Sequence, residues 1–138
     1  MTLLDECLMA LGNDKMVLST EDGEKIIDDI QQVFPFTQWG RIDWDNVNDK
    51  LLLNSDDDSV VDELAAHIDK NEEVYVFWDE ESTPVILTAV SSVLRAFWDV
   101  TAVGFNTWLW SKEKHFIIEC DHEGEIYIGY RCVKRESG

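Results

Sequence analysis

The chain has 138 residues, of which 45% are hydrophobic, and it carries a formal net charge of −18 at pH 7. This length suits one domain over residues 1–138, and six Trp and six Phe supply apolar volume that an acidic disordered tail would lack. A folded protein with this charge repels nucleic acid and anionic membranes and attracts basic surfaces.

The acidic residues are concentrated in the first three-fifths of the chain. Residues 1–81 carry 22 Asp and Glu against 5 Lys and Arg, whereas residues 82–138 carry 7 acidic against 6 basic residues. Nearly all of the negative charge therefore belongs to the N-terminal part, and the composition indicates a protein that binds something basic.

Leader and membrane segments are not expected. The N-terminus lacks a basic region followed by an apolar run, and no stretch approaches the roughly 18 apolar residues of a membrane span. Cys7, Cys120 and Cys132 form an odd set without a disulfide framework. These features predict a cytoplasmic protein whose thiols are reduced and mostly buried.

Three helices are predicted before residue 70. Apolar residues at helical spacing over 3–11 end at Gly12, and a second helix begins near Ser19 or Thr20 and ends at Pro35. A third helix is expected to begin at Ser55, with the acidic residues 56–58 in its first turn, where carboxylates favour the helix dipole.

The remaining elements are mostly strands. Residues 73–79 form a continuous apolar run that is typical of a strand covered on both faces. A fourth helix is indicated by apolar positions from Val90 to Trp98, although residues 84–87 could continue extended.

Strands are also predicted over 105–111, 114–120 and 125–132, with a turn at Gly124 between the last two. The order predicts an α+β fold: an antiparallel β-sheet, with a meander near the C-terminus, covered on one face by helices mainly from the N-terminal half.

The sequence does not contain metal ligands at the spacing of known calcium or zinc sites. An EF-hand loop counted from Asp56 would place Val61 at position six and His67 at position twelve, where Gly and Glu are needed. A second candidate set, His115, Cys120, His122 and Cys132, lacks the paired spacing of structural zinc sites. Phosphate-binding loops and nucleophile elbows are also missing from the sequence. We therefore expect no catalytic residue, no metal and no cofactor.

The six tryptophans divide into two groups. Trp78, Trp98, Trp108 and Trp110 lie in apolar strand or helix patterns and are expected in the core. The other two, Trp39 and Trp44, lie within the acidic N-terminal part, residues 1–81. Exposed aromatic residues there would make good anchors for a basic partner.

Five segments of the C-terminal half resemble a known family. They are Val-Tyr-Val-Phe-Trp-Asp (74–79), Thr-Pro-Val-Ile (83–86), Asp-Val-Thr-Ala-Val (99–103), Asn-Thr-Trp-Leu-Trp-Ser (106–111) and Phe-Ile-Ile-Glu-Cys-Asp-His-Glu-Gly-Glu-Ile-Tyr-Ile-Gly-Tyr (116–130). This arrangement, over roughly the last 60 residues, resembles bacterial immunity proteins of contact-dependent growth inhibition (CDI) and related polymorphic toxin systems. The resemblance implies a cytoplasmic antitoxin that binds the C-terminal domain of a delivered toxin, often a nuclease with a basic face, and blocks its active site.

The leading hypothesis is thus a non-enzymatic, monomeric inhibitor of a basic toxin domain, which binds neither nucleic acid nor membrane. Its partner-binding residues are expected in the acidic segment: Asp43, Trp44, Asp45, Asp49, Asp56, Asp57, Asp58, Asp62 and Glu63. An alternative is an acidic nucleic-acid mimic that inhibits a host nucleic-acid-binding protein, although residues 82–104 hold only one acid, Asp99. A small enzyme that gathers carboxylates from distant strands is the third interpretation.

Overall fold

The structure, a computed structural model, describes residues 2–37, 41–53, 58–80, 82–113 and 116–130. Within these residues the chain forms helices α1–α5 and strands β1–β7. The helices are Leu3–Leu11, Thr20–Val33, Val60–His67, Val90–Arg95 and Phe97–Thr101. The strands are Lys15–Val17, Lys50–Leu53, Glu73–Trp78, Ile86–Ala89, Thr107–Ser111, Phe116–Cys120 and Ile126–Tyr130.

The first two helices have the ends that their sequences predict. At α1 the hydroxyl of Thr2 accepts from the amide of Asp5 in a capping box, and Gly12 ends the helix with a φ of 79°. At α2 the hydroxyl of Ser19 accepts from the amide of Asp22, and the helix stops just before Pro35. Both predicted helices are confirmed.

The third helix begins later than predicted. Ser59, rather than Ser55, precedes α3, and the acids in its first turn are Asp62 and Glu63. Asp58 lies in the turn before the helix, so its predicted position in the first turn is wrong, while Ser55, Asp56 and Asp57 lie outside the described residues. The apolar positions of α3 place the helix correctly, but they do not fix its first residue.

One antiparallel sheet unites the seven strands in the order β1-β4-β3-β5-β6-β7-β2. The predicted meander is confirmed as β5, β6 and β7, and Gly124 takes a φ of 92° in the turn between the last two. Strands β1 and β2 form the two edges, and neither was assigned from the sequence. Strand β4 overlaps residues 84–87, for which the sequence left an extended conformation open. Strand β1 is too short to show an alternating pattern.

Both faces of the sheet are covered, which corrects the expectation of helices on one face. Val76 and Leu109 point to the first face, where α1, α3, α4 and α5 pack. Phe77, Trp108 and Trp110 point to the second face, where α2 and residues 34–47 pack. The continuous burial of β5 and β6 follows from this cover on both sides.

Trp98 is the clearest error in the predicted core. Trp98 is 54% exposed, whereas Trp78, Trp108 and Trp110 are buried as expected. The cause is a break at Ala96, where φ is −105° and ψ is 24°, which splits the predicted fourth helix into α4 and α5. After the break Phe97 points into the core, and the ring of Trp98 packs edge-on against it at 5.0 Å.

Candidate functional site

The second face of the sheet holds a fully buried carboxylate. Glu119 lies on β6 with 0% exposure, and each of its oxygens accepts two hydrogen bonds. Oε1 accepts from Arg41 Nη2 at 2.6 Å and from Trp44 Nε1 at 2.9 Å. Oε2 accepts from Trp108 Nε1 at 2.8 Å and from the amide of Ile42 at 3.3 Å. Three of these four donors belong to residues 41–44, so Glu119 fastens that segment to the sheet.

Arg41 balances the buried charge. Its guanidinium lies 2.6 Å from Glu119 and 3.4 Å from Asp121, and its side chain is 35% exposed. Burial opposes the charge of Arg41, but the hydrogen bonds and charges of the two carboxylates outweigh it and raise the pKa of the guanidinium. A buried carboxylate that is both paired and hydrogen-bonded is the form a protein interior tolerates.

Trp44 lies inside this arrangement and is only 8% exposed. Its ring stacks on Tyr127 of β7 at 4.8 Å between centroids, and its carbonyl accepts a hydrogen bond from Lys50 Nζ. The expectation that Trp44 is exposed is therefore wrong. Trp39 lies outside the described residues.

The acids beside Trp44 lie nearer the surface. Asp45 and Asp49 are exposed, and Asp43 is half-buried, with its Oδ2 accepting from Asn46 Nδ2 at 2.6 Å. Burial raises the pKa of Tyr127, as do the charges of Glu125 and Asp45. Asp45 therefore stands close enough to β7 for its charge to act on the sheet surface.

The predicted acids of α3 lie on the other side of the sheet. Asp58 and Asp62 are exposed and Glu63 is half-buried, while Val60 and Leu64 of the same helix pack on the first face. Along the chain, Asp45 and Asp49 precede β2 and this helix follows it. The described acids of the segment thus belong to elements that pack on opposite faces of the sheet, and they do not form one flat patch. Asp56 and Asp57, from the same set, lie outside the described residues.

Two features escaped the sequence interpretation. Glu119 is the only charged residue in the apolar strand Phe116–Cys120, and an isolated acid in such a strand is a signal for a buried, paired carboxylate. The second feature is a groove between α2 and the sheet, bordered by Glu24, Asp79 and Glu80. In the sequence, the run of acids at residues 79–81, directly after β3, could have indicated an acidic border there.

The described residues contain no group of three or more His, Cys, Asp or Glu side chains placed to hold a metal ion. The same part of the chain has no helix that is both long and apolar enough to cross a membrane.

Fold and site together define an acidic α+β protein, with helices on both faces of one antiparallel sheet and exposed carboxylates before and after an edge strand in the chain. A family model described as "CdiI immunity protein EcoliA0-like" matches residues 1–129, so the chain belongs to the CdiI immunity protein family. It is accordingly an antitoxin that neutralises a CDI toxin by binding it. A comparison with curated proteins found no match.

The family match confirms the resemblance that the C-terminal motifs suggested and extends it. The motifs covered roughly the last 60 residues, whereas the match begins at residue 1 and includes the acidic N-terminal half. Members of the family are generally inhibitors without catalytic activity of their own.

Proposed function

We propose that this antitoxin works in the cytoplasm as a monomer and neutralises a basic toxin domain, such as a nuclease, through the acidic surface beside β2. Asp45 and Asp49, which precede β2 in the chain, and Asp58 and Asp62, which follow it, are its described exposed members. Asp56 and Asp57 belong to the same proposal on sequence grounds. We propose that Trp44 and Glu119 support this surface from inside and do not touch the toxin.

The observation that carries the proposal is the net charge of −18 in a chain of this family. Opposite fields speed the encounter of two proteins, up to about 10⁸–10⁹ M⁻¹s⁻¹ at low salt. An inhibitor that must reach a lethal enzyme before the enzyme reaches its substrate benefits from such a rate. The charge also argues against binding to nucleic acid or to an anionic membrane.

The proposed binding is stoichiometric, without chemistry. Among the described residues, the one carboxylate that is fully buried, Glu119, already accepts four hydrogen bonds, so it has little capacity left for acid–base work. The proposed acids are exposed on the surface, where they suit a protein partner better than an enclosed substrate.

The test measures association with the C-terminal domain of the cognate CDI toxin. The association rate should drop roughly tenfold or more between about 20 mM and about 500 mM salt, because screening shortens the Debye length several-fold. The dissociation rate should change much less. A rate that does not depend on salt would exclude the acidic field from the mechanism.

Paired charge reversals locate the surface. Asp58→Lys with Asp62→Lys should weaken toxin binding by about 1–3 kcal/mol. The control, Glu6→Lys with Asp99→Lys, changes the net charge equally but alters exposed acids of α1 and α5. If both pairs weaken binding equally, the charge acts as a whole and the proposed surface has no special role.

A further inference from the structure

The groove between α2 and the second face of the sheet has a volume of about 540 Å³. This falls within the range of roughly 300–1,000 Å³ that is usual for ligand sites. Its floor includes Phe36, Phe77 and Trp108, and the last two stack on each other with ring centroids 5.3 Å apart. The groove therefore combines an apolar floor with a size that admits one or two long side chains.

The rim of the groove is acidic. Glu24 of α2 stands on one side, and Asp79 and Glu80, which follow β3, stand on the other. The described residues that line the groove include these three carboxylates and no Lys or Arg. The N-terminus of α2 also reaches the groove, but its dipole is equivalent to only about half a positive charge, so the carboxylates dominate.

The rim is held in place by hydrogen bonds. Oδ1 and Oδ2 of Asp79 accept from the backbone amide and from Nδ2 of Asn106, each at 3.2 Å. The carbonyl of Glu80 accepts from the amide of Thr83 at 3.1 Å and from its hydroxyl at 2.6 Å. These bonds hold the Asp79 carboxylate and the backbone carbonyl of Glu80, whose side chain is exposed.

One end of the groove is closed by close packing of α2 on the strand region. A Cβ built on Gly23 would lie 3.0 Å from Cγ2 of Val85, and the amide of Leu18 donates to the carbonyl of Val85 at 2.9 Å. The helix therefore cannot collapse further onto the sheet at this end, and the groove remains open beyond it.

We infer that the groove receives one or two Lys or Arg side chains from a basic segment of the toxin, an inference that rests on the proposed function. Lys and Arg have apolar stems and charged heads, and they lie best where an apolar surface ends in charge of opposite sign. Their stems would pack on the aromatic floor, and their heads would reach Glu24 and Glu80. This site is separate from the acidic surface beside β2 and would give the toxin a second, shape-specific contact.

Two variants test the inference, with the C-terminal domain of the cognate CDI toxin as the probe. The first is Glu24→Lys with Glu80→Lys, which reverses the rim; the second is Ser82→Trp, which fills the groove and leaves every carboxylate in place. Their controls are Glu6→Lys with Asp99→Lys, and Ser91→Trp on the exposed side of α4. Thermal melting of all four proteins verifies that they are folded.

Both groove variants should bind the toxin about 10- to 100-fold more weakly than the wild type, and both controls should stay within about threefold of it. The added ring and the toxin side chains cannot occupy the groove together. Wild-type affinity in a folded Ser82→Trp protein would therefore overturn the inference, whatever the rim reversal does. If the groove variants bind normally while the Asp58 and Asp62 reversal weakens binding, only this inference fails. If binding is also independent of salt, the proposed function fails with it.

Discussion

The indole of Trp44 occupies the space that Gly129 leaves open on β7. A Cβ built on Gly129 would lie 2.7 Å from Cζ3 and 3.1 Å from Cη2 of Trp44, and 3.3 Å from a ring atom of Phe34. The same indole stacks on Tyr127, two residues earlier on the strand, and donates to Glu119 on β6. One tryptophan thus joins the acidic segment to two strands of the sheet, and it needs a glycine to fit.

Gly129→Ala should therefore destabilise the protein. The added methyl group meets a ring that hydrogen bonding and stacking hold from two sides, and overpacking of this kind costs about 1–3 kcal/mol. Urea denaturation of the variant and the wild type measures the difference in the free energy of unfolding. If the two are equally stable, the ring of Trp44 moves more freely than the structure indicates.

A double-mutant cycle with Trp44→Phe separates this contact from other effects. The smaller ring relieves the clash, so the double variant should be more stable than the sum of the two single changes predicts. Trp44→Phe alone still loses the hydrogen bond to Glu119, and the cycle subtracts that loss. Simple additivity would show that Gly129 and Trp44 do not restrict each other.

Glu119→Gln should be more damaging than its conservative chemistry suggests. Each carboxylate oxygen accepts two N–H donors, but an amide offers one oxygen, and its NH₂ group would face two of the donors. Arg41 is 35% exposed, so in the variant it can hydrogen-bond water instead, which limits the damage. We expect the free energy of unfolding to fall by about 2–3 kcal/mol. The control is Glu123→Gln in the exposed turn, and chemical denaturation compares the stability of the two variants. The network would have little effect on stability if both variants unfold at the same urea concentration.

Trp98 and Trp78 form a matched pair for the core. Trp78→Ala should cost about 3–5 kcal/mol, because this residue is 5% exposed and its Nε1 donates to the carbonyl of Val100 at 2.8 Å. Trp98→Ala removes a residue that is 54% exposed, so only part of the burial is lost and the change should be about 1 kcal/mol or less. Thermal melting of the two variants ranks them directly. If Trp98→Ala is as unstable as Trp78→Ala, Trp98 lies in the core, as its sequence pattern predicted.

The error at Trp98 shows which parts of the fold a local pattern can predict. Helices with strong caps, such as α1 and α2, and strands with unbroken apolar runs, such as β3, follow from nearby residues. The break at Ala96 has no Gly or Pro to announce it, so the apolar spacing of 90–98 predicts one continuous helix. Tertiary packing of Phe97 determines the outcome instead.

The candidate site was predictable to a similar degree. The charge of the N-terminal part was read directly from composition, and the family followed from motifs in the C-terminal half. The burial of Trp44 could not be read in this way, because its partners Glu119 and Tyr127 are more than 70 residues away in sequence. Long-range pairing of one carboxylate with a tryptophan and an arginine leaves no periodic signal in either segment.

The two described cysteines make stability depend on pH in the alkaline range. Burial raises the pKa of Cys120 from 9.0 to about 12, with the charges of Glu119 and Asp121 adding to the effect. Burial also raises the pKa of Cys7 to about 11. Above about pH 9 the unfolded chain loses these protons while the folded protein keeps them. The contribution of both thiols is thus complete below about pH 9 and declines as pH rises toward 11–12.

Cys120→Ala tests this linkage in a Cys132→Ser background, since residue 132 lies outside the described part of the chain. The free energy of unfolding is measured at about pH 8 and about pH 10.5 for the background protein and for the variant. Loss of the sulfur lowers both values alike, so the difference between the two pH values isolates the proton. That difference should be smaller in the variant by about 1–2 kcal/mol, since each unit of pKa is worth about 1.4 kcal/mol. An unchanged difference would mean that the thiol of Cys120 ionises as readily in the folded protein as in the unfolded chain.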